Sequence, residues 1–157
     1  MHDFEYKGRE LYCEGVPIRT IAQRVGTPFY CYSNSTLANH VRAFDQAFSG
    51  VPHLICFAVK SNPSAAILRI IVRQGAGADI VSGGEMFRAL RAGIDPKKIV
   101  YAGVGKRRDE IEYALKMEIL MFNVESGEEL EAIDRAATDM HTKARIALRV
   151  NPDIDPR

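Results

Sequence analysis

The sequence predicts an α/β fold built on a parallel sheet, and three observations lead there. From residue 54 onward, short apolar runs alternate with amphipathic segments of about ten residues. The runs begin near residues 54, 77, 98, 119 and 144, a step of roughly 21–25 residues, as successive βα units require. None shows the apolar/polar alternation of a strand with one wet face, so both faces are expected to be covered. Four βα units and a fifth strand fit the first half of a (β/α)8 barrel of TIM type, whose complete form takes about 250 residues. By count alone they also complete a five-strand open sheet.

The elements follow in order. Residues 1–33 form a β-rich segment, with "FEYKGRELYCEG" and "PFYCYS" as strands around a short helix at 18–25 ended by Gly26. Pro28 falls at the edge of the second strand, where a missing N–H is tolerable. A helix over 34–48 is predicted by Leu37, Val41, Phe44 and Phe48, spaced by threes and fours. Strand 54–59 comes next, then a helix over 64–74 with Ile67, Leu68, Ile70 and Ile71 on its apolar side. "GADIV" at 77–81 leads to a helix over 83–92 ended by Gly93, and "KIVYAG" at 98–103 to a helix near 108–117. "ILMFN" at 119–123 leads to a helix near 127–137, and "ARIALRV" at 144–150 is the fifth strand.

The helix entries carry start signals. Asn62-Pro63 offers an N-cap followed by proline at the first helical position. Ser82-Gly-Gly-Glu85 and Ser126-Gly-Glu-Glu129 both match the S-x-x-E capping box. These junctions lie on the edge where α/β folds gather their active sites.

Composition removes several function classes. With 21 basic and 20 acidic residues the formal net charge is +1, which gives no electrostatic footprint for nucleic acid or an anionic membrane. Lys106-Arg107-Arg108 runs straight into Asp109 and Glu110 and reads as a solvated loop and helix start. Cys13, Cys31 and Cys56 are an odd count without C-x-x-C spacing, and the four histidines show no ligand spacing, so neither a disulfide framework nor a metal site is indicated. Cys56 reads as a small core residue. No signal peptide is recognisable, and no apolar run approaches the ~18 residues that span a bilayer. A cytoplasmic protein without membrane partners is the expectation. The glycine clusters "GAGAD" and "AGVGK" fail as phosphate loops, the second for want of its first glycine and of a Ser or Thr at Arg107.

Chemistry centres on Lys60, which ends the apolar strand "ICFAVK" at its C-terminal edge. A lysine held partly desolvated there loses preference for its ammonium form, and the neutral amine can condense with an aldehyde. A Schiff base with a substrate or with pyridoxal phosphate is the natural chemistry. The competing reading lets the stem cover apolar surface while the head reaches water. Asp79, inside an apolar strand, costs energy unless it finds a partner. Glu85 reads first as the capping-box partner of Ser82. Arg149, near the end of the fifth strand, is placed either to pair with Asp79 or Glu85 or to cap the sheet edge.

"FAVKSNP", "GAGADIVSGGE", "KIVYAGVGK", "FNVES" and "ALRVNPDIDP", in that order and spacing, closely resemble the N-terminal part of the bacterial diaminopimelate decarboxylase family. "TPFYCYS" resembles the segment by which that family enters its barrel, and the resemblance covers residues 8–157. "SGGE" favours this family over the related ornithine and arginine decarboxylases, which remain the alternative. The resemblance implies a (β/α)8 barrel over residues 34–157, halted after its fifth strand, with residues 1–33 contributing to a β-domain. It implies pyridoxal 5'-phosphate as cofactor and conversion of meso-diaminopimelate to L-lysine and CO2, the last step of lysine biosynthesis. Lys60 matches the lysine that carries the cofactor, and Asp79, Glu85 and Arg149 match polar positions lining the barrel nearby. The family is homodimeric with a shared active site.

The family's glycine-rich phosphate loop, ring-stacking histidine, acid facing the pyridine nitrogen, substrate arginines and catalytic cysteine belong to later parts of its sequence. None of the three cysteines here matches that cysteine's context. The 157-residue chain is therefore expected to be an incomplete piece, inactive alone, binding the cofactor weakly and self-associating through an open strand edge. A non-catalytic cofactor-binding piece is the alternative from another class.

Overall fold

The computed structural model describes residues 2–154. Asp155 and Pro156, the end of the "NPDIDP" stretch, lie outside the described residues. The chain forms two compact units, residues 1–53 and 54–157.

In the first unit β1 (Phe4–Lys7), β2 (Glu10–Cys13) and β3 (Val16–Pro17) make an antiparallel sheet in that order. Helices α1 (Ile18–Val25) and α2 (Asn34–Ala47) follow. The capping of α2 explains the fate of the segment before it. Ser33 is buried, its Oγ accepts the Thr36 N–H at 2.9 Å, and it donates to Glu14 Oε1 at 2.6 Å. Glu14 also takes the Ser35 N–H at 2.8 Å, and these hydrogen bonds hold its carboxyl below its ordinary value. "PFYCYS" was expected to be a strand and is not one: residues 29–33 join no ladder. Tyr30 and Tyr32 are exposed, so the apolar-looking pattern buries neither face, and the stretch serves as the lead-in to a capped helix.

The second unit alternates without exception. In chain order it holds β4 (Cys56–Ala58), α3 (Ala65–Arg73), β5 (Gly77–Ile80), α4 (Gly83–Ala92), β6 (Ile99–Tyr101), α5 (Arg108–Lys116), β7 (Met121–Val124), α6 (Gly127–Asp139) and β8 (Ile146–Leu148). All four pairings are parallel, and the order across the sheet is β4-β5-β6-β7-β8. That order decides between the two architectures the sequence allowed. An open doubly wound sheet reverses direction to put helices on both faces. Here every crossover advances one strand, so right-handed connections place all four helices on the same face. This is the half-barrel of four βα units and a fifth strand.

The register separates the two faces. Ala78, Ile80, Ile99, Tyr101, Phe122 and Val124 are buried and meet Leu68, Met86, Ala89, Ile111, Ala114, Ile133 and Ala136 of the helices. Tyr101 and Phe122 stack with ring centroids 6.0 Å apart. Each Leu, Ile, Val, Phe or Met side chain among them contributes about 1.5–3 kcal/mol on leaving water. The helix-free face carries Cys56, Ala58, Asp79, Val100, Met121, Asn123 and Ala147, which are half-buried. Gly77 is required by close approach: a Cβ there would lie 2.0 Å from the Lys98 carbonyl oxygen. Gly93 ends α4 in the left-handed region at φ 98°, as its position predicts.

Candidate active site

The C-terminal edge of the sheet is built by turns that reuse one device. In the β5–α4 turn Ser82 Oγ accepts the Glu85 N–H at 3.2 Å, and Glu85 Oε2 takes the Val81 N–H at 2.9 Å. In the β7–α6 turn Ser126 Oγ accepts the Glu129 N–H at 3.1 Å, and Glu129 Oε2 takes the Glu125 N–H at 3.0 Å. In each turn the serine caps the helix, while the glutamate accepts from the N–H one residue upstream of the cap in place of the cap's own, so only the serine half of the expected box forms. Glu110, in the first turn of α5, bridges two turns by accepting the Gly83 N–H at 2.7 Å and the Arg107 N–H at 3.2 Å. The backbone donors left free where each strand ends thus find carboxylates.

Lys60 follows β4 in a 3-10 turn, Val59–Ser61, rather than ending the strand itself. Val59 is the residue driven into the core, at 0% exposure, and Lys60 is exposed. The desolvation expected from its apolar neighbours therefore falls on Val59, because the tight turn rotates the next side chain outward. Ser61 Oγ donates to the Ala58 carbonyl at 2.7 Å. The following helix starts later than expected: Ser64 is the N-cap residue of α3, and Asn62 Oδ1 accepts the Ser64 N–H at 3.1 Å.

Asp79 lies on the helix-free face of β5, opposite Ala58 of β4, two residues before Lys60. Its Oδ1 is buried without a hydrogen-bond partner. Burial pushes the Asp79 carboxyl above its ordinary value, while the nearby charges of Lys60 and Arg149 pull it back. The same carboxylate adds to the burial that raises the Cys56 thiol, so Cys56 is a desolvated, inert neighbour. Arg149 donates its N–H to the Val124 carbonyl at 2.9 Å, and its Nη1 lies 3.7 Å from Glu125 Oε1. Lys60, Asp79 and Arg149 are thus electrostatically joined. Glu85 is engaged with the Val81 N–H, and the ion-pair partner of Arg149 is Glu125.

Two residues of this edge were missed or misjudged from the sequence. Glu125 accepts the Gly103 N–H at 2.6 Å, a contact between turns 22 residues apart that no local spacing signals. Lys106 was expected in solvent and its side chain is 0% exposed, paired with Glu129 Oε1 at 2.5 Å. Its acidic neighbours in sequence suggested a solvated run. Asp109 pairs with Arg107 and Glu110 with the Gly83 and Arg107 N–H groups, while Arg108 pairs with Glu112 and Asp139.

Residues 34–157 match the model of the pyridoxal-dependent decarboxylase family, pyridoxal binding domain. The chain belongs to this family. A diaminopimelate decarboxylase of Pseudomonas aeruginosa is 50% identical over 155 residues, which are 99% of this chain and 37% of that protein. One of Haemophilus influenzae is 50% identical over the same shares. The crystal structure of diaminopimelate decarboxylase from Helicobacter pylori complexed with L-lysine superposes with a TM-score of 0.83 at 45% identity, over 88% of this chain and 35% of that one. The chain therefore spans a little over a third of the length of these decarboxylases. The family match begins at residue 34, taking in α2 together with the parallel sheet.

The residues present fit the pyridoxal group for which the family is named. An exposed amine stands at the strand edge, a buried carboxylate oxygen nearby lacks any partner, and a guanidinium lies within electrostatic reach. A cavity of about 480 Å3 is elsewhere, at the opposite edge of the sheet, lined by Leu115, Ile119, Phe122, Ala144 and Arg145 among others. It belongs to the strand ends that lead away from the site. Among the described residues no cluster of His, Cys, Asp and Glu could hold a metal ion, and no helix is long and apolar enough to cross a membrane.

Proposed function

We propose that residues 34–157 form the cofactor-bearing first half of the (β/α)8 barrel of a diaminopimelate decarboxylase, with residues 1–33 contributing to its β-domain. The observation that supports this reading is that Lys60, two residues beyond the Ala58 that pairs with Asp79, stands at the C-terminal edge of the sheet with its charge acting on the Asp79 carboxyl. Identities near 50% to relatives named for this activity support the substrate, meso-diaminopimelate. The product would be L-lysine, the molecule held by the Helicobacter pylori relative.

Each residue then has a task. Lys60 would hold pyridoxal phosphate, its exposed amine being placed at the strand edge to condense with the aldehyde group. Asp79 Oδ1, buried without a partner, would offer an acceptor to a donor bound beside Lys60. Arg149, braced by Glu125, brings positive charge to the same face. Glu85 shapes the β5–α4 turn that presents Asp79. Pyridoxal phosphate, when bound, supplies the electron sink that loss of CO2 requires. The same reading makes the whole enzyme a cytoplasmic homodimer with a shared site. The three free cysteines agree with a reducing compartment.

A graft tests it. The chain replaces the matching 155 residues of the Pseudomonas aeruginosa enzyme, and CO2 release from meso-diaminopimelate is measured. Activity within about tenfold of the parent, abolished by Lys60→Ala, is expected. A folded graft that is inactive, or that prefers ornithine or arginine, contradicts the reading.

A further inference from the structure

The chemistry assigned above leaves Lys106 without a role. Its side chain is 0% exposed, while those of Arg107 and Arg108 beside it are 71% and 66% exposed. Lys106 Nζ donates to the Gly103 carbonyl at 2.8 Å, the Asn123 carbonyl at 2.9 Å and Glu129 Oε1 at 2.5 Å. An ammonium has three N–H donors, and all three are used. The Tyr101 ring lies alongside, with its centroid 5.4 Å from Nζ.

These acceptors belong to two successive βα units. Gly103 follows β6, Asn123 is in β7 and Glu129 opens α6. The second oxygen of Glu129 takes the Glu125 N–H, and Glu125 Oε1 takes the Gly103 N–H. The contacts close a ring: Gly103, Lys106, Glu129, Glu125 and back to Gly103. The preceding turn has Val81 where this one has Glu125, and Gly83 N–H is met instead by Glu110. Burying an ion pair costs desolvation that apolar side chains of similar volume would avoid. Stability alone therefore does not account for it, and what the ring holds in place does.

We propose that Lys106 is a positioning residue, whose buried ammonium locks the β6–α5 turn to the β7–α6 turn and so fixes the Glu125 carboxylate that braces Arg149 beside Asp79. Its functional consequence rests on the proposed reading of Lys60. Its structural consequence does not, and the test separates them.

The double variant Lys106→Met/Glu129→Met removes both charges at once, leaving no unpaired ion. Circular dichroism checks that it folds. In the parent 157-residue chain the Gly103 amide proton, bonded to a carboxylate, is expected downfield and protected from exchange. In the double variant it moves upfield and exchanges at least about tenfold faster. Capture of pyridoxal 5'-phosphate by Lys60, fixed with borohydride and measured by mass spectrometry at subsaturating cofactor, falls about tenfold. Adding Arg149→Ala brings no further loss, because both changes break one chain of contacts. An unchanged Gly103 resonance overturns the proposal, even if the parent captures no cofactor and the functional reading has failed. Where the parent does capture cofactor, unchanged capture in the double variant also overturns the proposal, as does a loss that adds to that of Arg149→Ala. Where the double variant does not fold, Glu125→Gln, which keeps the buried pair, must reproduce the loss of capture, and capture at the parent level overturns the proposal.

Discussion

The Lys60 ammonium lies close enough to the Asp79 carboxylate to oppose the burial that pushes the carboxyl above its ordinary value. Asp79 lies on β5 opposite Ala58 of β4, and Lys60 follows β4 two residues later, so the two charges come near each other only because that register is kept. One oxygen of the pair's acidic member is buried and unbonded. A carboxylate kept in that condition weakens the fold, and function at this edge gives the reason to keep it.

Asp79→Asn is therefore expected to stabilise the chain at neutral pH, by about 1 kcal/mol. The folded-state value lies above the ordinary 3.8, so the native chain holds this proton more tightly than the unfolded chain does. The stabilising contribution is complete below 3.8 and is lost as pH rises through the folded value, leaving a cost at neutrality. Urea unfolding at pH 7 and pH 3 checks it: the gain from the variant appears at the first and vanishes at the second. In the grafted enzyme the same change lowers activity.

His53 shows the opposite partner arrangement in the first unit. Its Nδ1 lies 2.9 Å from the Val51 carbonyl and its Nε2 3.0 Å from Asp45 Oδ1, and both contacts raise its value above 6.5. The contribution is fully present below 6.5 and fades as pH rises through the folded value. An NMR titration should place the His53 transition above 6.5, and Asp45→Asn should bring it down.

Much of this architecture was legible in the sequence, because its signals are local. Apolar runs, Gly93 and the two S-x-x-E boxes located the strands and helix starts of the second unit to within a few residues. The exceptions are instructive. Asn62-Pro63 looked like a helix start, but Asn62 serves the Ser64 N–H and the helix begins after it. Lys106 looked solvated because its sequence neighbours are charged, whereas its partners Asn123 and Glu129 come from the next βα unit. Glu125 could not be singled out, since its partner Gly103 is set by strand stagger. Tyr30 and Tyr32 imitate a strand whose ladder never forms.

Gly77→Ala is expected to be severe. The added Cβ would lie 2.0 Å from the Lys98 carbonyl oxygen and 2.9 Å from the Lys98 Cβ, so the clash is with atoms fixed to the backbone and not with the yielding end of a side chain. Loss of about 3 kcal/mol or more, or no folded second unit, is predicted from urea unfolding. Gly93→Ala, strained only by its φ of 98°, should cost about 1 kcal/mol.

The caps are predicted to be worth less and to add. Ser82→Ala and Ser126→Ala should each cost about 1 kcal/mol, and the double variant about twice that, since the caps serve different helices. Thermal unfolding of the three variants tests this. A double variant no less stable than either single one would contradict independent capping.

The central claim is that this strand edge is built to hold pyridoxal phosphate on Lys60. The direct measurement treats the chain with limiting pyridoxal 5'-phosphate, fixes the product with borohydride and maps the modified lysines by mass spectrometry. The account predicts modification concentrated on Lys60, abolished by Lys60→Ala and weakened by Arg149→Ala. Modification spread evenly over exposed lysines such as Lys7 and Lys97, with Lys60 no more reactive than they are, would contradict it.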